Sequence, residues 1–575
     1  MINSQGTLSI AITGSGGSGV VTMGLLFLKV IAGAGYYGLM ARSSGPQIRG
    51  GESAVMLRLG TSPVLCQDDS FHLLLVLDWL NFARFADEIP LTDQSVVLYD
   101  PAMGDVPPVV IETGAQLQEI SLKALAKSIE GGRPNMLALG MLAALLGIDK
   151  KAIENAVDSV LGYKGSEVVS TSMNGIDIGF GAAPNTISLH KLPPAPSGLS
   201  HWNISGNEAA GLGALRGGVR LVAAYPITPA SEILEWLAPN LEKVGGALIQ
   251  AEDELASINM VIGASFGGVP ALTATSGPGL SLMMEALGLA VASENPLVVI
   301  DVMRGGPSTG IPTKSEQSDL NIALYGMHGD APHLVLAPIN ISDCAFTSEW
   351  AVRLAERLQA VAIVLSDQLL GQSRAIVDPP QGAPVLEGRA TVTAECASYE
   401  RYALTADGIS QMAIPGTAGC IYTADGLEHT PEGIPSSMAN DHQGQLEKRH
   451  KKLVQYDYSE HWAVQDGKAE ICLITWGSSS GVVTEATQRL RVGGLAIQTL
   501  AIRLISPLPI DRFQIAMQEV KCVVVIEQNH QGQLFHYLNS LNLLPEGSRV
   551  LAHAGPLPIR PGEVVALVKE WYGDE

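Results

Sequence analysis

The 575-residue chain is poor in cysteine, in aromatic residues and in positive charge. Its six cysteines, Cys66, Cys344, Cys396, Cys420, Cys472 and Cys522, stand far apart, with no CxxC and no matched Cys/His pairs. That pattern excludes a ferredoxin-type cluster or a zinc site built by local spacing. If the protein does redox chemistry, the metal is carried on another chain. Lysine and arginine number 35 against 57 acids, a net charge of −22, and no basic stripe interrupts the excess. Such a surface repels nucleic acid and anionic lipid. No run of about eighteen apolar residues is present to span a membrane. The opening MINSQGTLSIAITG lacks the basic and apolar regions of a secretory signal, so a cytoplasmic location is expected.

What the chain has in quantity is glycine, 62 residues, and apolar side chains, 46% of the total. This is the usage of a large α/β protein with buried parallel strands, and the length suits roughly three to four domains. Composition breaks mark a first segment at 1–182 and a Pro- and Ser-rich linker at 183–205. An alternating α/β segment follows at 206–376, then an irregular region at 377–460 and a second α/β segment at 461–575. In the first segment, LLLVLD and SVVLYD read as strands ending in Asp, and an apolar helix starts near Pro134. In the middle segment VRLVAAYPIT, GGALIQAED, VPALTAT, PLVVIDVMR, HLVLAP and AVAIVLSDQ read as strands separated by helices. That order predicts a doubly wound parallel sheet.

Gly14, Gly16 and Gly19 complete a GxGxxG turn, with Gly17 inside it, between a strand and a helix. The context suits a phosphate on the helix N-terminus. A dinucleotide site would add an acid about twenty residues on; this chain offers Arg42 and Arg49 instead. The expected ligand is therefore a phosphate-bearing molecule such as coenzyme A, with NAD second. Tight strand-to-helix packing without a ligand is the plainer alternative.

The stretch YPITPASEILEWL predicts a helix start with Thr228 as N-cap and Pro229 at the first helical position. A hydroxyl placed there can also donate outward, into the crevice where open α/β sheets bind ligands. Arg304 follows the strand PLVVIDVM, with Gly305 and Gly306 clearing the approach, and can clamp a carboxylate bidentately. A surface arginine paired to an acid is the alternative. QAEDELASINM opens a helix with three carboxylates. Glu252 and Asp253 complement its dipole, while Glu254 shares a face with Ile258 and Val261 and points toward apolar packing. Chain position alone does not separate Glu252 from Glu254; the face favours Glu254.

Together GSGGSGV, GNEAAGLGAL, YPITPASEI, QAEDELASI, TATSGPGLSLM, RGGPSTGIPTKSEQSDL and TADGIS resemble, nearly end to end, one family. It is the α subunit, with the γ domain fused in front, of the 2-oxoacid:ferredoxin oxidoreductases. The resemblance implies three α/β domains: a Rossmann-like γ domain that binds coenzyme A, a pyrimidine-type domain of a thiamine enzyme, and a transketolase C-terminal-like domain marked by WGSSSGVVTEA and RLISPLP. It implies oxidative decarboxylation of a 2-oxoacid on thiamine diphosphate, yielding acyl-CoA, CO2 and reduced ferredoxin. Glu254 would then face the aminopyrimidine N1′, with Thr228 and Arg304 at the oxoacid's carboxylate or carbonyl. Family members usually carry Gln where this chain has Ser18, which leaves the glycine skeleton intact and changes one side-chain contact.

The Mg2+-diphosphate signature of thiamine enzymes, GDG followed by a later Asn, is missing; ADG at 406 and 424 lacks the first glycine. The resemblance therefore implies a β subunit that carries the diphosphate, Mg2+ and a [4Fe-4S] cluster, in a dimer of α–β heterodimers. The fused γ–α arrangement looks most like the 2-oxoglutarate members. Ser308, Thr309 and Lys314 offer polar groups near Arg304 for a second carboxylate, although Lys314 reads equally as a solvated lysine. Pyruvate, indolepyruvate and branched-chain oxoacids stay open, as does a non-catalytic scaffold that binds coenzyme A. A nicotinamide dehydrogenase is disfavoured by the missing acid.

Overall fold

The apolar runs of the sequence become the buried strands of three sheets. The computed structural model describes residues 6–45, 51–185, 187, 192–195, 201–393, 395 and 398–572. These fall into two units: one takes the chain up to Ser205 with Gln372–Pro379 and Leu557–Ala566, and the other takes the rest. Arg49 and Cys396 lie outside the described residues.

The first unit is built on an eight-stranded sheet. Gln116–Glu119, Val96–Tyr99, Leu73–Val76 and Leu8–Ser15 run parallel in that spatial order. Glu52–Gly60, Tyr37–Ser44, Arg374–Val377 and Trp202–Ser205 then continue it antiparallel. Two readings of the sequence change here. Trp202–Ser205, within the expected linker, is an edge strand, and Arg374–Val377 belongs to this sheet rather than to the middle one. Both are four-residue strands recruited by pairing, which local composition does not report. The helix Val20–Gly33 and the helix Pro134–Leu146 bury apolar faces in this unit's core. Pro134–Leu146 packs closely on Ser166–Gly181, where a Cβ at Gly140 would lie 2.0 Å from the Ile176 carbonyl and one at Gly179 2.0 Å from that of Leu137.

The second unit holds a seven-stranded sheet in the order Leu504–Ser506, Leu334–Leu336, Val361–Asp367, Leu297–Met303, Ala271–Thr275, Leu221–Ala224, Ala247–Gln250. All neighbours are parallel except the first pair. The short edge strand Leu504–Ser506 is lent by the last segment, so the middle and last segments share a sheet. A five-stranded sheet follows, in the order Ala463–Asp466, Ile497–Ile502, Ile471–Trp476, Cys522–Glu527, Arg549–Ala552. Parallel strands buried on both faces need near-continuous apolar runs, and Leu297–Met303 and Val361–Asp367 are buried at every residue.

The region 398–437, low in regular structure, is anchored by charge. Lys452 Nζ donates to Glu294 at 2.8 Å, Lys448 reaches the other oxygen of the same carboxylate, and Arg401 donates to the Glu294 carbonyl at 2.9 Å. Burial alone would raise the Glu294 carboxyl, but Lys448, Lys452 and Arg401 together hold it well below the usual range. Burial outweighs the carboxylate at Lys448 and brings that ammonium down to about 8. No helix among the described residues is long and apolar enough to cross a membrane.

Candidate active site

Three exits of the seven-stranded sheet carry the expected residues. The turn Tyr225–Ala230 follows Leu221–Ala224, Glu254 opens the helix after Ala247–Gln250, and Arg304 follows Leu297–Met303 directly. Arg304 Nη1 donates to the Thr228 carbonyl at 2.5 Å, and Asn207 Nδ2 donates to the Pro229 carbonyl at 3.0 Å. These two bonds fix the corner from which the helix Ser231–Leu241 departs.

Thr228 is not the N-cap. The residue flanking the helix is Ala230, with no side-chain cap, and Pro229 precedes the helix rather than opening it. The last turn before the helix is closed by backbone instead, Ser231 N–H donating to the Ile227 carbonyl at 3.0 Å. The Thr228–Pro229 peptide is cis. Thr228 keeps an exposed side chain that capping does not consume.

At the neighbouring exit the three acids separate. Asp253 is the N-cap, accepting from the Ala256 N–H at 2.7 Å, and Glu252 is exposed. Glu254 is 7% exposed and lies on the buried face with Ile258 and Val261, as its helical position requires. It faces the first turn of the helix Gly277–Ala292. A Cβ at Gly279 would lie 2.1 Å from Thr275 Oγ1 and 2.9 Å from Glu254 Oε1, so a residue without a side chain is what lets the carboxylate approach. Among the described residues the Glu254 carboxylate has no hydrogen-bond partner. Its oxygens are not among the fully enclosed ones, so the carboxylate stays open to a donor from a ligand.

Between Arg304 and Asp319 the chain makes a small hairpin. Gly305 pairs with Ile311, and the Gly305 N–H donates to the Lys314 carbonyl at 3.0 Å. Gly310 (φ +52°) closes it where a Cβ would strike the Gly305 carbonyl. Ser308 and Thr309 stand exposed at the tip, and Lys314 is half-buried at the base. Gln317 then ties the loop down: its Nε2 donates to the Trp476 carbonyl at 2.9 Å, and its Oε1 accepts from Ser479 Oγ at 2.8 Å and Gln528 N–H at 2.7 Å. The hairpin ends at Asp319, whose carboxyl meets that of Asp301 behind Arg304. The sequence reading does not reach Asn207, Asp301 or Asp319. An acid inside the apolar run LVVIDVM was the available signal for Asp301.

In the first unit the glycine turn is present, with Gly17 at φ +100° in open space and Gly19 at φ +88° flanking the helix Val20–Gly33. Gly14, next to the last residue of its strand, packs beside Leu77, and the Gly16 N–H donates to the Gly51 carbonyl. Ser18 Oγ donates to the Ser15 carbonyl at 2.6 Å, a local bond. The helix N-terminus has no side-chain cap and no acid in its first turn. The turn is nevertheless not free of acids. Ser15 N–H and Oγ both donate to Asp78 Oδ2, at 2.8 and 2.7 Å. From chain position, the sequence offers Arg42 and Arg49 near this turn in place of an acid. Tyr37–Ser44, which carries Arg42, is instead separated from Leu8–Ser15 by Glu52–Gly60, and the parallel neighbour Leu73–Val76 brings Asp78.

Comparison with known proteins agrees with this architecture. Residues 212–448 match the thiamine diphosphate-binding (thiamine diP-bdg) family of pyruvate flavodoxin/ferredoxin oxidoreductase. Residues 9–182 match the pyruvate ferredoxin/flavodoxin oxidoreductase family, and residues 469–548 match core domain II of pyruvate:ferredoxin oxidoreductase. The α subunit of 2-oxoacid:ferredoxin oxidoreductase 2 from Aeropyrum pernix is 31% identical over 96% of this chain and 96% of its own. The 2-oxoglutarate synthase subunit KorA of Archaeoglobus fulgidus is 38% identical over 57% of this chain and 87% of its own. Among solved structures, the 2-oxoglutarate:ferredoxin oxidoreductase from Magnetococcus marinus, with 2-oxoglutarate, coenzyme A and succinyl-CoA bound, superposes with a TM-score of 0.91. It is 36% identical, covering 98% of this chain and 99% of that one. This chain belongs to the α subunits of the 2-oxoacid:ferredoxin oxidoreductases.

Proposed function

We propose that the chain is the γ–α fused subunit of an enzyme that oxidatively decarboxylates 2-oxoglutarate with coenzyme A to succinyl-CoA and CO2, passing electrons to ferredoxin. The observation that carries this reading is the donorless Glu254 carboxylate, set against Gly279 one strand exit away from Arg304 on the Thr228 carbonyl. The residues present fit thiamine diphosphate. Glu254 lacks the N–H or O–H that a ring nitrogen would bring, and Gly279 leaves the space beside it.

When bound, thiamine diphosphate supplies the carbon nucleophile that attacks the 2-oxo carbon. This chain's part is preparation. Glu254 holds a proton at the aminopyrimidine N1′, and the helix N-terminus at Gly277 favours the carboxylate form of whichever acid gives that proton up. Arg304 and the exposed Thr228 hydroxyl orient the oxoacid's carboxylate. Lys314, with Ser308 and Thr309 on the hairpin, reads the second carboxylate that distinguishes 2-oxoglutarate from pyruvate.

In the first unit, coenzyme A phosphates meet the uncapped N-terminus of Val20–Gly33. The turn glycines Gly14, Gly16, Gly17 and Gly19 allow close approach, and Asp78 confines the anion to the helix side of the turn. A β subunit carries Mg2+, the diphosphate and the iron–sulfur cluster in a dimer of heterodimers located in the cytoplasm.

The test is co-production with a partner subunit bearing a GDG motif and paired cysteines, followed by viologen reduction with a panel of oxoacids. The expected result is coenzyme A-dependent reduction, fastest with 2-oxoglutarate, and none from the chain alone. Faster turnover of pyruvate or a branched-chain oxoacid would overturn the substrate assignment. A partnered complex inert to every oxoacid would overturn the function.

A further inference from the structure

Beside Arg304 the second unit holds a pair of acids, Asp301 and Asp319. Asp301 is fully buried within the strand Leu297–Met303. No donor among the described residues reaches either of its carboxylate oxygens. The group within hydrogen-bonding reach is the Asp319 carboxyl, whose Oδ2 is likewise enclosed without a donor. Two ionised carboxylates repel strongly in such a setting; one proton between them removes the repulsion and supplies the missing donor.

The surroundings agree. Burial, and then the facing Asp319, push the Asp301 carboxyl well above the usual aspartate range, and burial raises Asp319 as well. The other charged groups that bear on the pair are Arg304, which draws both carboxyls down, and Glu316, which pushes Asp319 up. Arg304 is itself buried, with Nε lacking a partner. Asp319 also sits at the helix turn that borders Glu254: a Cβ at Gly277 would lie 2.6 Å from Asp319 Oδ2, two residues before Gly279. A doubly ionised pair would reverse the field that an incoming carboxylate meets at Arg304. A fully protonated pair would leave the buried guanidinium without a counter-charge. One shared proton does neither.

We propose that Asp301 and Asp319 share a single proton and, as a pair of one negative charge, act as positioning residues that hold the Arg304 guanidinium on the Thr228 carbonyl for the oxoacid carboxylate. This rests on the assignment of Arg304 to the oxoacid. Two measurements test it, one of them independent of turnover.

The first is infrared spectroscopy of the full chain. Wild type shows the carbonyl band of a buried protonated carboxyl, and D301N removes it, because the carboxamide then donates to an ionised Asp319. The second is KM against pH from 6 to 9 for the complex with its partner subunit and its best oxoacid. In wild type KM rises toward alkaline pH as the shared proton leaves; in D301N the rise disappears. D301A, with no donor, raises KM about tenfold at neutral pH, with kcat changing less, and D301N recovers most of that loss. Superimposable KM profiles for wild type and D301N, or no carboxyl band in their difference spectrum, would overturn the proposal. If the complex turns over no oxoacid, the functional reading fails while the infrared band still decides the pair.

Discussion

Gly279→Ala puts the greatest load on the geometry with the smallest change in atoms. The added methyl would stand 2.1 Å from Thr275 Oγ1 and 2.8 and 2.9 Å from Glu254 Cγ and Oε1. Ordinary contact begins near 3.4 Å, so Glu254 must retreat by ~0.5 Å and Thr275 by ~1.3 Å. Thr275 has little freedom: it is fully buried on the strand Ala271–Thr275, and its branched side chain is stiff at χ1. Glu254 therefore takes up much of the movement. Overpacking of this size costs about 1–3 kcal/mol, which leaves a large α/β chain folded. A displacement approaching 1 Å at a catalytic group costs about 10²-fold in rate.

The assay is oxoacid-dependent viologen reduction by the complex, read beside its thermal melt. Gly288→Ala in the same helix is the control. Nothing lies within 4 Å of a Cβ there, so it gains ~0.5–1 kcal/mol of helix stability and keeps wild-type turnover. A Gly279→Ala complex that melts normally and turns over like Gly288→Ala would refute the placement of Glu254 in the reaction.

Glu254→Gln keeps the side-chain volume and the Asp253 cap but replaces a carboxylate oxygen with an amide nitrogen; kcat should fall by ~10²–10⁴ with the melt unchanged. Asn207→Ala frees the Pro229 carbonyl, and loss of one buried hydrogen bond, ~1–3 kcal/mol, should lower kcat/KM about tenfold or more, chiefly through KM. Glu294→Gln strands Lys448 and Lys452 and should cost ~3–5 kcal/mol in denaturant unfolding at neutral pH, with much of it restored when both lysines become methionine. The same carboxyl sets an acid limb: it is held below the usual glutamate range in the fold, so its contribution is intact above that range and lost as pH falls through the folded value. Unfolding midpoints should therefore drop below pH 4–5 in wild type and less steeply in Glu294→Gln.

Much of this site could be read from the chain alone. The all-apolar runs marked parallel strands, each strand's end marked a position on one edge, and helical spacing put Glu254 rather than Glu252 on the buried face. Those are local properties: a period of side chains, a run length, a cap residue such as Asp253. The reading failed where a partner came from far along the chain. Thr228 had every local sign of an N-cap, yet Arg304, 76 residues away, takes its carbonyl and the helix starts three residues later.

Tertiary structure decided strand order, and with it the chemistry of both candidate sites. Chain position puts Arg42 near the glycine turn, but an antiparallel strand, Glu52–Gly60, comes between them and a parallel one delivers Asp78. Asp301 and Asp319 lie eighteen positions apart across a hairpin, and no periodicity couples them. Leu504–Ser506 joins the seven-stranded sheet directly after Ile497–Ile502 has paired in the five-stranded one, with only three residues. Side-chain pattern specifies which residues are buried, because burial is a property of each face of an element. Which buried residues meet is set by pairing and packing summed over the whole chain, and no short stretch contains that sum.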